Sequence, residues 1–361
     1  MSALKLVGPF AIRDTGAPVT SGAYTTLVMI HGFAWHSGVF SRMLPFRGNS
    51  TRIVLVNRRG YPGSAPFNDE EHRLLDVSRS ADLKVEDSVH VYMKDRAREL
   101  YDFLNTFIYE ERIPLASMIV SGWSFGSVFI FALLAHAPSF PLRDEARPLT
   151  KYIKRVVAYD PPYHCFGYTP PPNYYNPATQ DPVNGAQLFS QWVSGYYQHG
   201  NSLSELEFRV PLKDPPPSIL TMSPSDLEDA LYNTPAVPGG SDHTLVHVGM
   251  THGLWETIRK AALYIRRSAQ SGAQPGKEAV ASPWDDVELR HIWCDQSVWE
   301  MPWGTWALLA EIEEAKASGT PMRKISIMRL TGANHFLHWD QPERALAALL
   351  SETTLESCAR L

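Results

Sequence analysis

The chain has 361 residues and 44% hydrophobic content, enough to bury one large core plus an insertion, so a single elaborated domain is expected rather than two equal ones. Its net charge of −5 comes without a basic stripe that would favour nucleic acid, and no apolar run has the length of a membrane span. Residues 1–9 lack the basic, apolar, small-residue order of a secretory signal, which makes the cytoplasm the expected compartment.

Thr26-Leu27-Val28-Met29-Ile30 is the first apolar run of strand type and leads into His31-Gly32-Phe33. A second, Arg52-Ile53-Val54-Leu55-Val56, opens into the turn-forming segment Asn57-Arg58-Arg59-Gly60-Tyr61-Pro62-Gly63-Ser64. Ala97, Leu100, Tyr101, Leu104 and Ile108 keep helical spacing, which predicts a sheet-covering helix over about 88–113 that Pro114 ends. Ser117-Met118-Ile119-Val120 then runs into Gly122-Trp123-Ser124-Phe125-Gly126, followed by a helical run from Val128 to Leu134. A G-x-S-x-G pentapeptide between strand and helix reads as a nucleophile elbow, a tight turn that holds its serine strained and exposed. A side chain at either flanking glycine would meet neighbouring backbone.

After Val156-Val157-Ala158-Tyr159-Asp160 the texture changes, and residues 161–285 become rich in proline and aromatics, as in Tyr168-Thr169-Pro170-Pro171-Pro172-Asn173-Tyr174-Tyr175. Low-complexity disorder would not carry so many aromatic rings, so a packed lid is expected there, with 270–283 as its flexible return to the core. Leu289-Arg290-His291-Ile292-Trp293 is the next strand, continued by Cys294-Asp295-Gln296-Ser297. The last, Ile325-Ser326-Ile327-Met328-Arg329-Leu330, precedes Thr331-Gly332-Ala333-Asn334-His335-Phe336, and Pro342 opens the closing helix.

A serine hydroxyl is a poor nucleophile at neutral pH and needs a base that a carboxylate orients. His335, in a Gly-x-x-His turn after the last strand, is the candidate base for Ser124, and His338 a lining group. His243 and His247 have the spacing of a helical metal clamp, with His252 nearby, but no third ligand stands at matching spacing, so neither metal nor cofactor is expected. Cys165, Cys294 and Cys358, odd in number and scattered, read as reduced thiols.

The strand before His31, the 57–64 turn, the elbow and the histidine loop, in this order, resemble the α/β-hydrolase superfamily over about 24–160 and 287–350. The 57–64 turn is similar to that superfamily's D-x-R-G-x-G-x-S, with Asn57 in place of the acid. The resemblance implies a mostly parallel sheet with flanking helices and an inserted, largely helical cap: core over 1–160, cap over 161–285 and core again over 286–361. It also implies an oxyanion hole from the backbone N–H groups of Phe33 and Phe125. The triad acid usually follows the seventh strand, where Ser297 stands here; Asp295 lies two residues earlier, and Asp160 sits at the tip of the sixth strand, where haloalkane dehalogenases and their relatives similarly carry one. Asp160 is preferred and Asp295 is the alternative.

The implied activity is hydrolysis of a carboxylic ester or lactone of a hydrophobic small molecule through an acyl-enzyme. A C–C bond hydrolase, thioesterase or cyclase of polyketide-like metabolites is the alternative within enzymes, the texture being similar to fungal secondary-metabolite-type members. A non-catalytic hydrolase-fold ligand receptor is the alternative from another class. Oligomeric state stays open, a homodimer being one option.

Overall fold

Runs of Val, Ile and Leu buried on both faces can only sit in a sheet covered on each side, and four such runs form the centre of this fold. The computed structural model describes residues 4–19, 22–76, 85–142, 148–181, 185–265 and 282–353. Eight strands, β1 (Lys5–Val7), β2 (Phe10–Asp14), β3 (Thr25–Ile30), β4 (Thr51–Asn57), β5 (Met118–Trp123), β6 (Ile153–Tyr159), β7 (Glu288–Cys294) and β8 (Ile325–Leu330), make one sheet in the order β1-β2-β4-β3-β5-β6-β7-β8. The β1–β2 and β2–β4 pairs are antiparallel and every other pair is parallel.

The helices are α1 (Asp69–Leu75), α2 (Val85–Glu111), α3 (Ser127–His136), α4 (Pro177–Gln180), α5 (Gly185–Val193), α6 (Pro224–Ala230), α7 (Ser241–Thr251), α8 (Leu254–Leu263), α9 (Glu300–Ser318), α10 (Leu337–Asp340) and α11 (Pro342–Leu350). One sheet face, through Val28, Val54, Val120 and Val156, buries α2, α3 and α8. The opposite face, through Leu27, Ile53, Ile119 and Val157, buries the 3-10 segment Ser37–Phe46, α10 and α11. The helix expected over 88–113 is α2, and Pro114 stands beyond its end as the spacing requires. No helix among the described residues is long and apolar enough to cross a membrane.

Every regular element described between Tyr163 and Leu263 is helical, and Leu254, Trp255, Ile258, Ala262 and Leu263 of α8 join residues of α2 and α3 in the first core. Their spacing is that of a one-sided sheet-covering helix, hidden in the sequence behind a proline-rich and histidine-rich stretch. Most of the return expected over 270–283 lies outside the described residues, as does Cys358.

Parallel strands place their carboxyl ends along one edge, which is where open α/β sheets bind ligands. Ile30 pairs with Gly122, Trp123 with Tyr159, Tyr159 with Ile292 and Cys294 with Leu330, so β3, β5, β6, β7 and β8 end side by side. The loops that follow them carry Phe33, Ser124, Asp160, Ser297 and His335.

Candidate active site

Ser124 is the first residue after β5 and has φ +54, a left-handed conformation that is costly for a side chain with a Cβ. The strain is imposed by close packing on both sides. A Cβ on Gly122 would sit 2.4 Å from Gly126 O, and one on Gly126 would sit 2.6 Å from Ile30 O and 2.7 Å from His31 O. Only backbone without side chains lets the elbow nest against the end of β3. Gly126→Ala would have to push the 30–33 backbone aside; it is expected to lower kcat/KM by about 10²-fold with the fold retained, since a displacement near 1 Å at a catalytic group has that cost. Steady-state kinetics beside a circular dichroism spectrum checks this, and activity within twofold of wild type would contradict it.

Asp160, the first residue after β6, is also left-handed at φ +49 and fully buried. Its Oδ2 lies 2.7 Å from His335 Nδ1 and accepts from Ser297 Oγ at 2.6 Å, while Oδ1 accepts from the Cys294 N–H at 2.8 Å. An ionised carboxylate only accepts, so His335 carries its proton on Nδ1 and leaves Nε2 as the acceptor. Asp295 is engaged elsewhere, with Arg329 Nε at 2.9 Å and the Gly332 N–H at 2.7 Å, and so ties the 294–297 loop to the end of β8. Ser297, in the position where the resemblance would place an acid, instead donates to Asp160.

Trp123 couples the elbow to the histidine loop. Its Nε1 donates to His335 O at 3.0 Å and its ring lies 4.8 Å from the His335 ring. The Ser124 hydroxyl has no hydrogen-bond partner among the described residues. His338 is packed between Phe40, Trp123 and Tyr159, with neither ring nitrogen bonded, and burial drives it well towards the neutral form. His243 and His247 point to solvent from α7, and no group of three His, Cys, Asp or Glu able to hold a metal occurs among the described residues.

The loop after β3 lies against Ser124: a Cβ on Gly32 would come within 2.8 Å of Ser124 Cβ. The backbone N–H groups of Phe33 and Phe125 take part in none of the loop hydrogen bonds among the described residues. The Phe33 ring meets Phe125 edge-on at 6.3 Å and Phe189 of α5 at 6.4 Å, and Phe189 packs on Trp192. An aromatic ring of α5 thus stands beside Phe33. Cys165 is buried with Sγ 3.8 Å from Ser124 O, and burial pushes its thiol well up, away from thiolate chemistry.

Glu300, at the start of α9, is buried with a hydrogen bond from Asn176 Nδ2 at 3.1 Å. Burial raises its carboxyl from the ordinary 4.5 to about 7, the Asn176 bond opposing the rise. The unfolded chain therefore ionises first as pH increases. Stability is unaffected below about 4.5, falls between there and about 7, and stays lowered above. Glu300→Gln keeps the shape and removes the charge, so it is expected to add on the order of 2–3 kcal/mol at pH 8 and much less at pH 5. Melts of both proteins at the two pH values test this; an equal gain at each would contradict it.

Sequence reasoning did not find Asp242 or the use made of Arg58. A buried Arg58 after β4 must meet an acid, but its partner lies 184 residues away on α7, and nothing local points to it.

The amino-acid sequence matches the alpha/beta hydrolase family over residues 27–349. No protein of curated function matches it. The fold is similar to an epoxide hydrolase from hot-environment metagenomes (16% identity, 98% of this chain and 100% of that one covered, TM-score 0.44). It is also similar to a carboxylesterase from Bacillus subtilis (15%, 95% and 88%, 0.43) and a haloalkane dehalogenase from Bradyrhizobium elkani (15%, 96% and 95%, 0.46). With a family match that spans nearly the whole chain and the strand order found here, this protein belongs to the alpha/beta hydrolase family.

Proposed function

We propose that the protein is a serine hydrolase that cleaves a carboxylic ester or lactone of a hydrophobic, ring-bearing small molecule through an acyl-enzyme. The observation that carries this reading is the convergence on one sheet edge of a strained Ser124 and a His335 whose Nδ1 lies 2.7 Å from Asp160 Oδ2. Ser124 Oγ attacks the carbonyl carbon, and its proton passes to His335 Nε2. Asp160 holds the imidazole in the right tautomer and stabilises the imidazolium. The carbonyl oxygen becomes an oxyanion facing the N–H groups of Phe33 and Phe125. Collapse breaks the C–O bond, and the leaving alcohol takes the proton from His335. Water, deprotonated by the same histidine, then hydrolyses the acyl-serine.

Phe33, Phe125, Phe189 and Trp192 support an apolar substrate, because aromatic rings supply contact area with few polar handles. The residues from 161 to the start of α8 form the cap in this reading. Turnover of p-nitrophenyl esters of graded chain length, alongside aryl lactones, tests it: a chain-length optimum is expected, and no turnover of any member, with no labelling by a fluorophosphonate, would overturn it. That second result is the one a non-catalytic receptor would give.

A further inference from the structure

An oxyanion hole built on a loop needs something to hold the peptide plane. In a trans peptide the C=O and N–H point in opposite directions, so gripping the Gly32 carbonyl fixes the direction of the Phe33 N–H. That carbonyl is gripped twice, by Arg58 Nη2 at 2.8 Å and by His31 Nδ1 at 3.0 Å. His31 Nε2 accepts from the Arg58 N–H at 3.0 Å, which places the ring proton on Nδ1 and makes it the donor to Gly32 O. Arg58 Nε also reaches the preceding carbonyl, His31 O, at 3.2 Å.

The Arg58 fork is itself held from the cap stretch. Asp242, on α7 and buried, accepts from Arg58 Nη1 at 2.9 Å and from the Tyr61 hydroxyl at 2.7 Å. Tyr61 Oη in turn accepts the Ala34 N–H at 3.1 Å. Ala34 has φ +65, a strained conformation for a residue with a Cβ, and its carbonyl accepts the Tyr232 N–H at 2.7 Å. The His36 N–H donates to Ala230 O at 2.9 Å, so the segment from 230 to 232 flanks the same loop along its backbone.

We infer that Arg58 is a positioning residue that locks the Gly32–Phe33 peptide in its donor orientation, and that Asp242 of the cap stretch holds Arg58 in place, so that the oxyanion hole is complete only with the cap packed. This rests on the serine-hydrolase reading above. A buried ion pair that merely stabilised the fold would have no need to span two loop carbonyls, and a lysine could serve it.

Two variants separate these roles. Arg58→Lys keeps the charge and can still pair with Asp242, but a single ammonium cannot span the His31 and Gly32 carbonyls. Asp242→Asn keeps the shape and removes the charge that orients the fork. The probe is an aryl trifluoromethyl ketone: Ser124 Oγ adds to its carbonyl carbon, the serine proton passes to His335, and the ketone oxygen becomes an alkoxide that needs the hole. Both variants are expected to bind the ketone about 10- to 100-fold more weakly, and to lose kcat on a p-nitrophenyl ester by a similar factor with KM within about threefold, less than deletion of an oxyanion donor costs. If either folded variant, checked by its melting temperature, binds the ketone within twofold of wild type, the inference is overturned. Wild type that neither binds the ketone nor turns over the ester would instead overturn the hydrolase reading, and this inference with it.

Discussion

Ser124→Ala is expected to lower kcat on any ester the protein turns over by about 10⁴ to 10⁶, with the fold and melting temperature close to wild type. The hydroxyl makes no hydrogen bond among the described residues, so its loss leaves no buried donor or acceptor unpaired, and an alanine keeps the same Cβ at φ +54. Residual activity above a tenth of wild type would remove Ser124 from the nucleophile's role.

Asp160→Asn is expected to lower kcat by roughly 10⁴ with little change in KM, because an amide facing His335 Nδ1 selects the wrong tautomer and stabilises no imidazolium. The amide would also turn a donor towards either the Cys294 N–H or Ser297 Oγ, which now donate to the carboxylate, so a modest loss of stability accompanies the kinetic one. Asp295→Asn should cost less than about fifty-fold, since Asp295 bonds Arg329 and the Gly332 N–H and acts on His335 only through the loop that carries both. Measured kcat and KM for the two single variants decide the ranking. The reverse order would move the acid to the seventh strand, and equal large losses with a double variant no worse than either would mean a shared carboxylate network.

The central sheet was legible because strands buried on both faces write themselves as unbroken apolar runs, and the elbow because only glycine fits where Gly122 and Gly126 stand. The choice between Asp160 and Asp295 could be posed from a position, Ser297, that holds a hydroxyl where an acid would be expected; the geometry adds that this hydroxyl donates to Asp160. What could not be read is long-range. Arg58 and Asp242 meet across 184 residues, and charge spacing in a sequence carries no record of such a pairing. Likewise the proline- and aromatic-rich texture of 161–285 gives no sign that the apolar stripe of α8, from Leu254 to Leu263, packs with α3. Trp123 was legible as an elbow residue but not as the group whose indole reaches His335 O.

The central claim is that Ser124, rather than a carboxylate, forms the covalent intermediate. Single-turnover hydrolysis of a p-nitrophenyl ester in ¹⁸O water, with enzyme in excess, tests this directly when quenched samples are digested and weighed by mass spectrometry. The account predicts a transient acyl adduct on the peptide that contains Ser124, with ¹⁸O appearing in the released acid and in no side chain of the enzyme. An acyl adduct at another residue, or ¹⁸O retained in the carboxylate of Asp160, would contradict it.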